Sequence, residues 1–182
     1  MFDRSGNRKY LNRHERKAFR RAIAMEKDLS RKAFLFCLFH TGCRISEGLN
    51  LLAGRIDLMN DAVTFETIKR RKRGCFRAVP VPDELTSILR MLLPGKRPNE
   101  RLWKFSRPTA YRLVKTKMKQ ARISGGMACP KGLRHGHGVA CVAEKIPLTL
   151  IQKWLGHARI ETTAIYLDVL GEEERDLAAR LW

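Results

Sequence analysis

Apolar residues recur at helical spacing along most of this chain and switch to alternation in one short stretch. Asn12-Arg13-His14-Glu15 has the form of a capping box, with Asn in the Ser/Thr place, and predicts a helix to about Met25. Ser30 is placed to cap a second helix over residues 31–41, which Gly42 would stop. Phe34, Leu35, Leu38 and Phe39 would share one of its faces. A third helix is expected from near Arg44, carrying Ile45, Leu49 and Leu52. The period then shortens. Residues 55–58, the turn Asn60-Asp61 and residues 62–68 read as strand, turn and strand. The basic run of residues 69–74 reads as a second turn, before a strand over 75–81. Helical spacing returns at Pro82-Asp83-Glu84, running to about Leu93, and at Ser106-Arg107-Pro108, running to about Ile123. It continues over residues 131–144, 147–155, 162–168 and 172–182. The expected fold class is α+β: mostly helical, with a small antiparallel three-stranded sheet.

A length of 182 residues suits one domain. A domain of about 150 residues buries roughly 70% of its unfolded surface, so a core forms without covalent staples. Charge narrows the function further. Lys and Arg number 37 against 18 Asp and Glu, a net charge of +19, and an excess of that size points to a polyanionic partner. A membrane surface would instead favour one basic amphipathic helix, whereas here the basic residues spread along the whole chain. The longest apolar run, Ala33 to Phe39, is too short to span a bilayer. Met1 to Tyr10 lacks the apolar centre of a signal peptide, so a cytoplasmic protein is expected. Cys37, Cys43, Cys75, Cys129 and Cys141 are scattered and form no C-x-x-C pair, which fits reduced thiols rather than disulfides or zinc ligands.

The candidate chemistry lies in four blocks. Thr41-Gly42-Cys43-Arg44-Ile45-Ser46-Glu47 is the first, and the basic hairpin ending Arg77-Ala78-Val79-Pro80-Val81 is the second. Lys131-Gly132-Leu133-Arg134-His135 is the third. The fourth is Leu155-Gly156-His157 followed by Glu161-Thr162-Thr163-Ala164-Ile165-Tyr166, with His157 nine positions before Tyr166. Each block alone is a weak signal. In this order and spacing they resemble the catalytic domain of the tyrosine recombinases: phage integrases, chromosome-dimer resolvases and fimbrial inversion recombinases. The resemblance spans about residues 12 to 176.

The residue types suit that chemistry. Displacement at a phosphodiester builds charge on the non-bridging oxygens, and guanidinium forks stabilise it best. The resemblance assigns Arg44 and Arg134 to this clamp, although an isolated Arg44 would more simply pair with Glu47 at i, i+3. It makes Tyr166 the nucleophile, a phenol whose free pKa of about 10 demands help to ionise. His157 would hydrogen-bond the scissile phosphate beside the stop formed by Leu155-Gly156. Lys131 stands where the family usually has His; as a point charge it can hold a phosphate oxygen, and a solvated lysine is the competing reading. A hairpin lysine would protonate the leaving 5′-oxygen. Counting from Val63 favours Lys69 and counting back from Pro80 favours Lys72, and Lys69 is preferred because it ends the strand. Glu47 would orient Arg44, and His135 would support Arg134. Arg70, Arg71, Lys72, Arg73, Lys115, Lys117 and Lys119 are read as phosphate contacts. His135-Gly136-His137 has no carboxylate or cysteine at ligand spacing, so no metal and no other cofactor is expected.

The resemblance implies a site-specific recombinase that cuts and rejoins double-stranded DNA through a 3′-phosphotyrosyl link, as a homotetramer on DNA, with no small-molecule substrate and no membrane. A monomer in solution is compatible with it. The expected organisation is one catalytic domain over residues 1–182, with a basic arm over 1–11 and a C-terminal helix over 171–182 that docks on a neighbour. No separate N-terminal core-binding domain is expected, as in the short inversion recombinases. A non-catalytic DNA-binding regulator of the same fold is the first alternative, and relaxation of supercoils by nicking and rejoining the second. Binding to duplex DNA should weaken steeply with salt, because many phosphates are neutralised. Titrations at several salt concentrations measure this, and a flat profile counts against a nucleic-acid partner.

Overall fold

A central helix organises the chain. The computed structural model describes residues 1–67, 74–168, 175, 178, 179 and 181. In it α1 (Arg13–Ala24) and α2 (Leu29–Thr41) lead into the short α3 (Ile45–Leu49). Every residue of α2 from Ala33 to Phe39 is buried. The expected one-faced stripe is therefore a wholly enclosed helix, as apolar residues all round demand. α1, α4 (Asp83–Leu92) and α6 (Pro130–Ala143) pack around it. Asp28, not Ser30, caps α2: its carboxylate accepts from the Arg31 amide at 2.8 Å. A carboxylate also complements the positive end of the helix dipole. Asn12 forms the expected capping box, with both of its bonds to Glu15 at 2.8 Å.

After α3 a 3-10 turn (Ala53–Arg55) leads into β1 (Ile56–Asp57), β2 (Ala62–Glu66) and β3 (Phe76–Pro80). They form one antiparallel sheet in the order β1-β2-β3. β1 is shorter than expected because the Asp57 side chain accepts from the Met59 and Asn60 amides, both at 3.0 Å, and turns the chain. Val63 and Phe65 of β2 and Arg77 and Val79 of β3 are buried, and Phe65 lies directly opposite Arg77. The turn expected over 69–74 falls, except for Gly74, outside the described residues, as does most of the helix expected over 172–182.

α5 (Arg107–Gln120) follows α4, and α7 (Leu148–Leu155) and α8 (Glu161–Ala164) follow α6. α8 is shorter than expected: the amides of Tyr166 and Leu167 bond to the carbonyls three residues back, so Tyr166 sits in a turn. Among the described residues two apolar clusters result. The larger joins α2 to the sheet, α4 and α5; in it Phe34 meets Trp103 edge-on at 5.2 Å, while the Trp103 indole donates to the Gly48 carbonyl. The smaller gathers Tyr10, Val139, Cys141, Ile151, Leu155 and Tyr166, with Met1 over it. Among the described residues no helix is long and apolar enough to cross a membrane.

α6 reaches both clusters because glycines open its faces. A Cβ at Gly136 would lie 2.8 Å from the Leu11 carbonyl, and one at Gly138 would lie 2.6 Å from the Tyr166 ring. Gly136→Ala should therefore lower stability by about 1–3 kcal/mol through overpacking against backbone that cannot yield. Urea unfolding measures this, and an unchanged midpoint contradicts the packing assigned to α6.

Candidate active site

Helix ends build the site. α2 and α7 both stop on a left-handed glycine, Gly42 (φ 59°) and Gly156 (φ 66°). The last carbonyls of a helix have no partner inside it. Here Arg134, projecting from α6, takes them: Nη1 donates to Gly42 O and Nη2 to Leu155 O, each at 2.8 Å. The guanidinium is buried, two of its five N–H groups satisfy these contacts, and it also interacts with the Tyr166 hydroxyl. Burial, reinforced by the Arg44 charge, pushes its pKa down to about 10, so it stays cationic at neutral pH.

Arg44 precedes α3, where the Glu47 carboxylate holds it twice. The Arg44 amide donates to Oε2 at 2.9 Å and its Nη1 to Oε1 at 2.7 Å. The Glu47 side chain is fully enclosed, whereas that of Arg44 is 23% exposed. Burial raises the Glu47 carboxyl, but Arg77 and the Arg44 amide outweigh it and hold it below the usual range.

Tyr166 is 1% exposed. Its hydroxyl lies 3.3 Å from His135 Nδ1, and its ring is parallel to that of His157 within 19° at 6.1 Å. Burial raises the phenol pKa, while Arg134 and Arg44 pull it down. His157 is also buried, and its Nδ1 meets the Thr163 hydroxyl at 2.8 Å. Burial, then the charges of Arg134 and Arg44, lowers its pKa to about 3; burial and Lys131 lower that of His135 to about 4. Both rings are neutral at pH 7. Lys131 is exposed in the first turn of α6, one turn before His135.

Arg44, Glu47, Arg134, His135, His157 and Tyr166 thus converge from three of the four blocks. Lys69, Arg70, Arg71, Lys72 and Arg73 lie outside the described residues. Lys115 and Lys119 are exposed on one face of α5. Lys117 is not: two positions along a helix turn the side chain to the opposite face, where it is 5% exposed and pairs with Glu26 at 2.8 Å. Its expected role as a phosphate contact is therefore corrected to an internal ion pair. His40 pairs with Glu84 at 3.1 Å and stacks on Phe36. No three His, Cys, Asp or Glu side chains cluster as metal ligands among the described residues.

Two residues at this site had no role in the sequence reading. Thr163 is the buried partner of His157. Arg77 is 6% exposed and bonds Glu47 Oε2 at 2.6 Å, the Thr67 hydroxyl at 2.9 Å and the Trp154 carbonyl at 2.7 Å. Its signal was available: a charged residue two positions before Val79, in the inward phase of a strand.

Residues 9–173 match the phage integrase family, and the chain belongs to that family. It is 31% identical over 165 residues to a tyrosine recombinase of Thermosipho africanus, covering 88% of this chain and 57% of that one. It is 31% identical over 145 residues to the tyrosine recombinase XerA of Saccharolobus solfataricus, covering 80% and 48%. The chain thus spans about half the length of these relatives. A XerA recombinase crystal structure superposes with a TM-score of 0.80 at 25% identity, over 94% of this chain and 64% of that one. The catalytic domain of bacteriophage HP1 integrase shares the fold, with a TM-score of 0.66 at 22% identity over 87% of this chain and 86% of that one.

The enclosed imidazoles carry a pH signature. His135, His137 and His157 have folded pKa values of about 4, 3 and 3, below the ordinary 6.5. The unfolded chain therefore takes up protons first as pH falls. Their contribution to stability is complete above about pH 7 and is lost progressively from pH 6.5 toward 4. The urea midpoint should drop between pH 7.5 and 5, and His137→Gln should flatten that slope. A midpoint independent of pH in this interval contradicts the buried neutral histidines.

Proposed function

We propose that this protein is a site-specific DNA recombinase that breaks and rejoins strands through Tyr166. One observation carries the reading. Two arginines and the tyrosine hydroxyl meet at a site where, among the described residues, cationic charge exceeds carboxylate and Glu47 is the lone acidic side chain bonded to this cluster. Such a site gains most from an anion with several oxygens, and a phosphodiester has that form. Membership of the phage integrase family and likeness to named tyrosine recombinases support the same reaction.

In this reading Arg44 and the N–H groups of Arg134 not bonded to carbonyls grip the non-bridging oxygens. Thr163 donates to His157 Nδ1, which fixes the tautomer that leaves Nε2–H for the phosphate. The phenol releases its proton to solvent, the Arg134 and Arg44 charges favouring the phenolate, with His135 hydrogen-bonded to the hydroxyl and Lys131 one turn away to hold the phosphate. The phenolate oxygen then bonds to phosphorus as the bond to the 5′-oxygen breaks. That oxygen takes a proton from Lys69 of the hairpin. The product is a 3′-phosphotyrosyl link and a free 5′-hydroxyl. Attack by the 5′-hydroxyl of a second strand reverses the step, and the retained bond energy makes ATP unnecessary. Exposed Lys115 and Lys119, with the basic run of residues 70–73, contact phosphates away from the cut. Exchange between two duplex sites then requires a tetramer.

The burial of Tyr166 gives the alternative its one support: a DNA-binding regulator of this fold that does not cut. A duplex nicked beside the cleavage site separates the two. The recombinase forms an SDS-resistant adduct that Tyr166→Phe abolishes. Arg44→Ala and Arg134→Ala should each slow adduct formation on the order of 100- to 1000-fold, the cost of removing a donor to developing charge, while binding changes little. Intact binding with no adduct from the unaltered protein assigns the regulator. Retained cleavage in both arginine variants defeats the clamp.

A further inference from the structure

We infer that Arg77 is a positioning residue for the reaction, tying the hairpin to both halves of the phosphate clamp. The inference rests on the proposed cleavage reading. Arg77 stands on β3 opposite Phe65, and its guanidinium lies 5.3 Å from the centre of that ring. On its other side is Gly156, where a Cβ would come within 2.9 Å of Arg77 Cζ. The group therefore fills a slot between the sheet and the end of α7. Each of its three nitrogens has a different partner: Nε donates to the Trp154 carbonyl, Nη1 to the Thr67 hydroxyl and Nη2 to Glu47 Oε2.

Each partner leads to a different part of the site. Glu47 holds the Arg44 amide on the same oxygen that receives Arg77, and the Arg44 guanidinium on the other. Trp154 immediately precedes Leu155, whose carbonyl holds Arg134, and lies three residues before His157. Thr67 is the last described residue before the basic run of residues 69–73. A core ion pair alone would need one partner, and a strand position facing inward would be filled more simply by Val or Leu. A three-way planar fork fixes the relative placement of three elements, which a point charge cannot do. Arg77 touches no reacting atom in this scheme. It acts by aligning Arg44 with Arg134.

The test uses Arg77→Lys in the full chain, which keeps a cation beside Glu47 but loses the fork. The expected result is duplex binding within about threefold of the unaltered protein and single-turnover cleavage of the nicked duplex slower on the order of 100-fold, the effect of misplacing a clamp by about 1 Å. A methylphosphonate at the scissile position carries no charge for Arg44 to hold. On it the deficit of the variant should shrink at least tenfold. A second readout needs no cleavage: the Arg44 amide, bonded to Glu47, should exchange with deuterium at least tenfold faster in the variant. If the lysine variant does not fold, Arg77→Gln, which leaves Glu47 paired with Arg44, gives the same readouts. Unchanged cleavage, equal deficits on both substrates, or loss of binding in parallel with cleavage overturns the positioning role. Should the unaltered protein form no adduct, the cleavage reading fails by itself, and Arg44 exchange still decides whether Arg77 sets the clamp.

Discussion

The carbonyls at the end of α7 are the constraint on which the rest of this site depends. A helix cannot satisfy its last carbonyl groups, and a left-handed glycine at 156 ends this one inside the protein rather than at its surface. Two different arginines resolve the problem. Arg77 comes from the sheet and takes Trp154, while Arg134 comes from α6 and takes Leu155. The partial negative charge of the helix end favours both. The same bonds that let the helix stop in the interior hold a guanidinium beside His157 and Tyr166. Stability and candidate chemistry are therefore one set of hydrogen bonds.

That solution concentrates like charge. Arg44, Arg77 and Arg134 are close enough to act on one another's neighbours, and Glu47 bonds two of the three. Burial and this charge press in the same direction on the imidazoles, which remain neutral, and in opposite directions on the phenol. Neutral imidazoles suit the site, because a charged ring would add to the repulsion. The carboxylate of Glu47 is depressed for the complementary reason: its cationic neighbours outweigh the cost of enclosing it. A phosphodiester would replace repulsion among the arginines by attraction to a shared anion.

Much of this was legible in the sequence because it is local. Capping at Asn12, the stops at Gly42 and Gly156 and the period change near residue 55 follow from nearest neighbours along the chain. Three of the four blocks hold Arg44, Glu47, Arg134, His135, His157 and Tyr166, because residue type and spacing survive translation into a site. Phase along a helix would also have shown that Lys115 and Lys119 share a face from which Lys117 points away.

Tertiary structure alone decided the partners. Nothing local says that Lys117 meets Glu26, that Thr163 holds His157, or that Arg77 reaches Glu47 thirty positions away and Trp154 seventy-seven positions away. Hydrogen-bond partners across such distances depend on where whole helices come to rest, and that is set by apolar packing of α2 and α6 rather than by the polar residues concerned. The sequence by itself determined which groups are chemically able to clamp and attack. The packed fold determined which of them are enclosed, which are neutral and which are left with donors to spare, because enclosure and long-range pairing exist only once the chain has closed on itself.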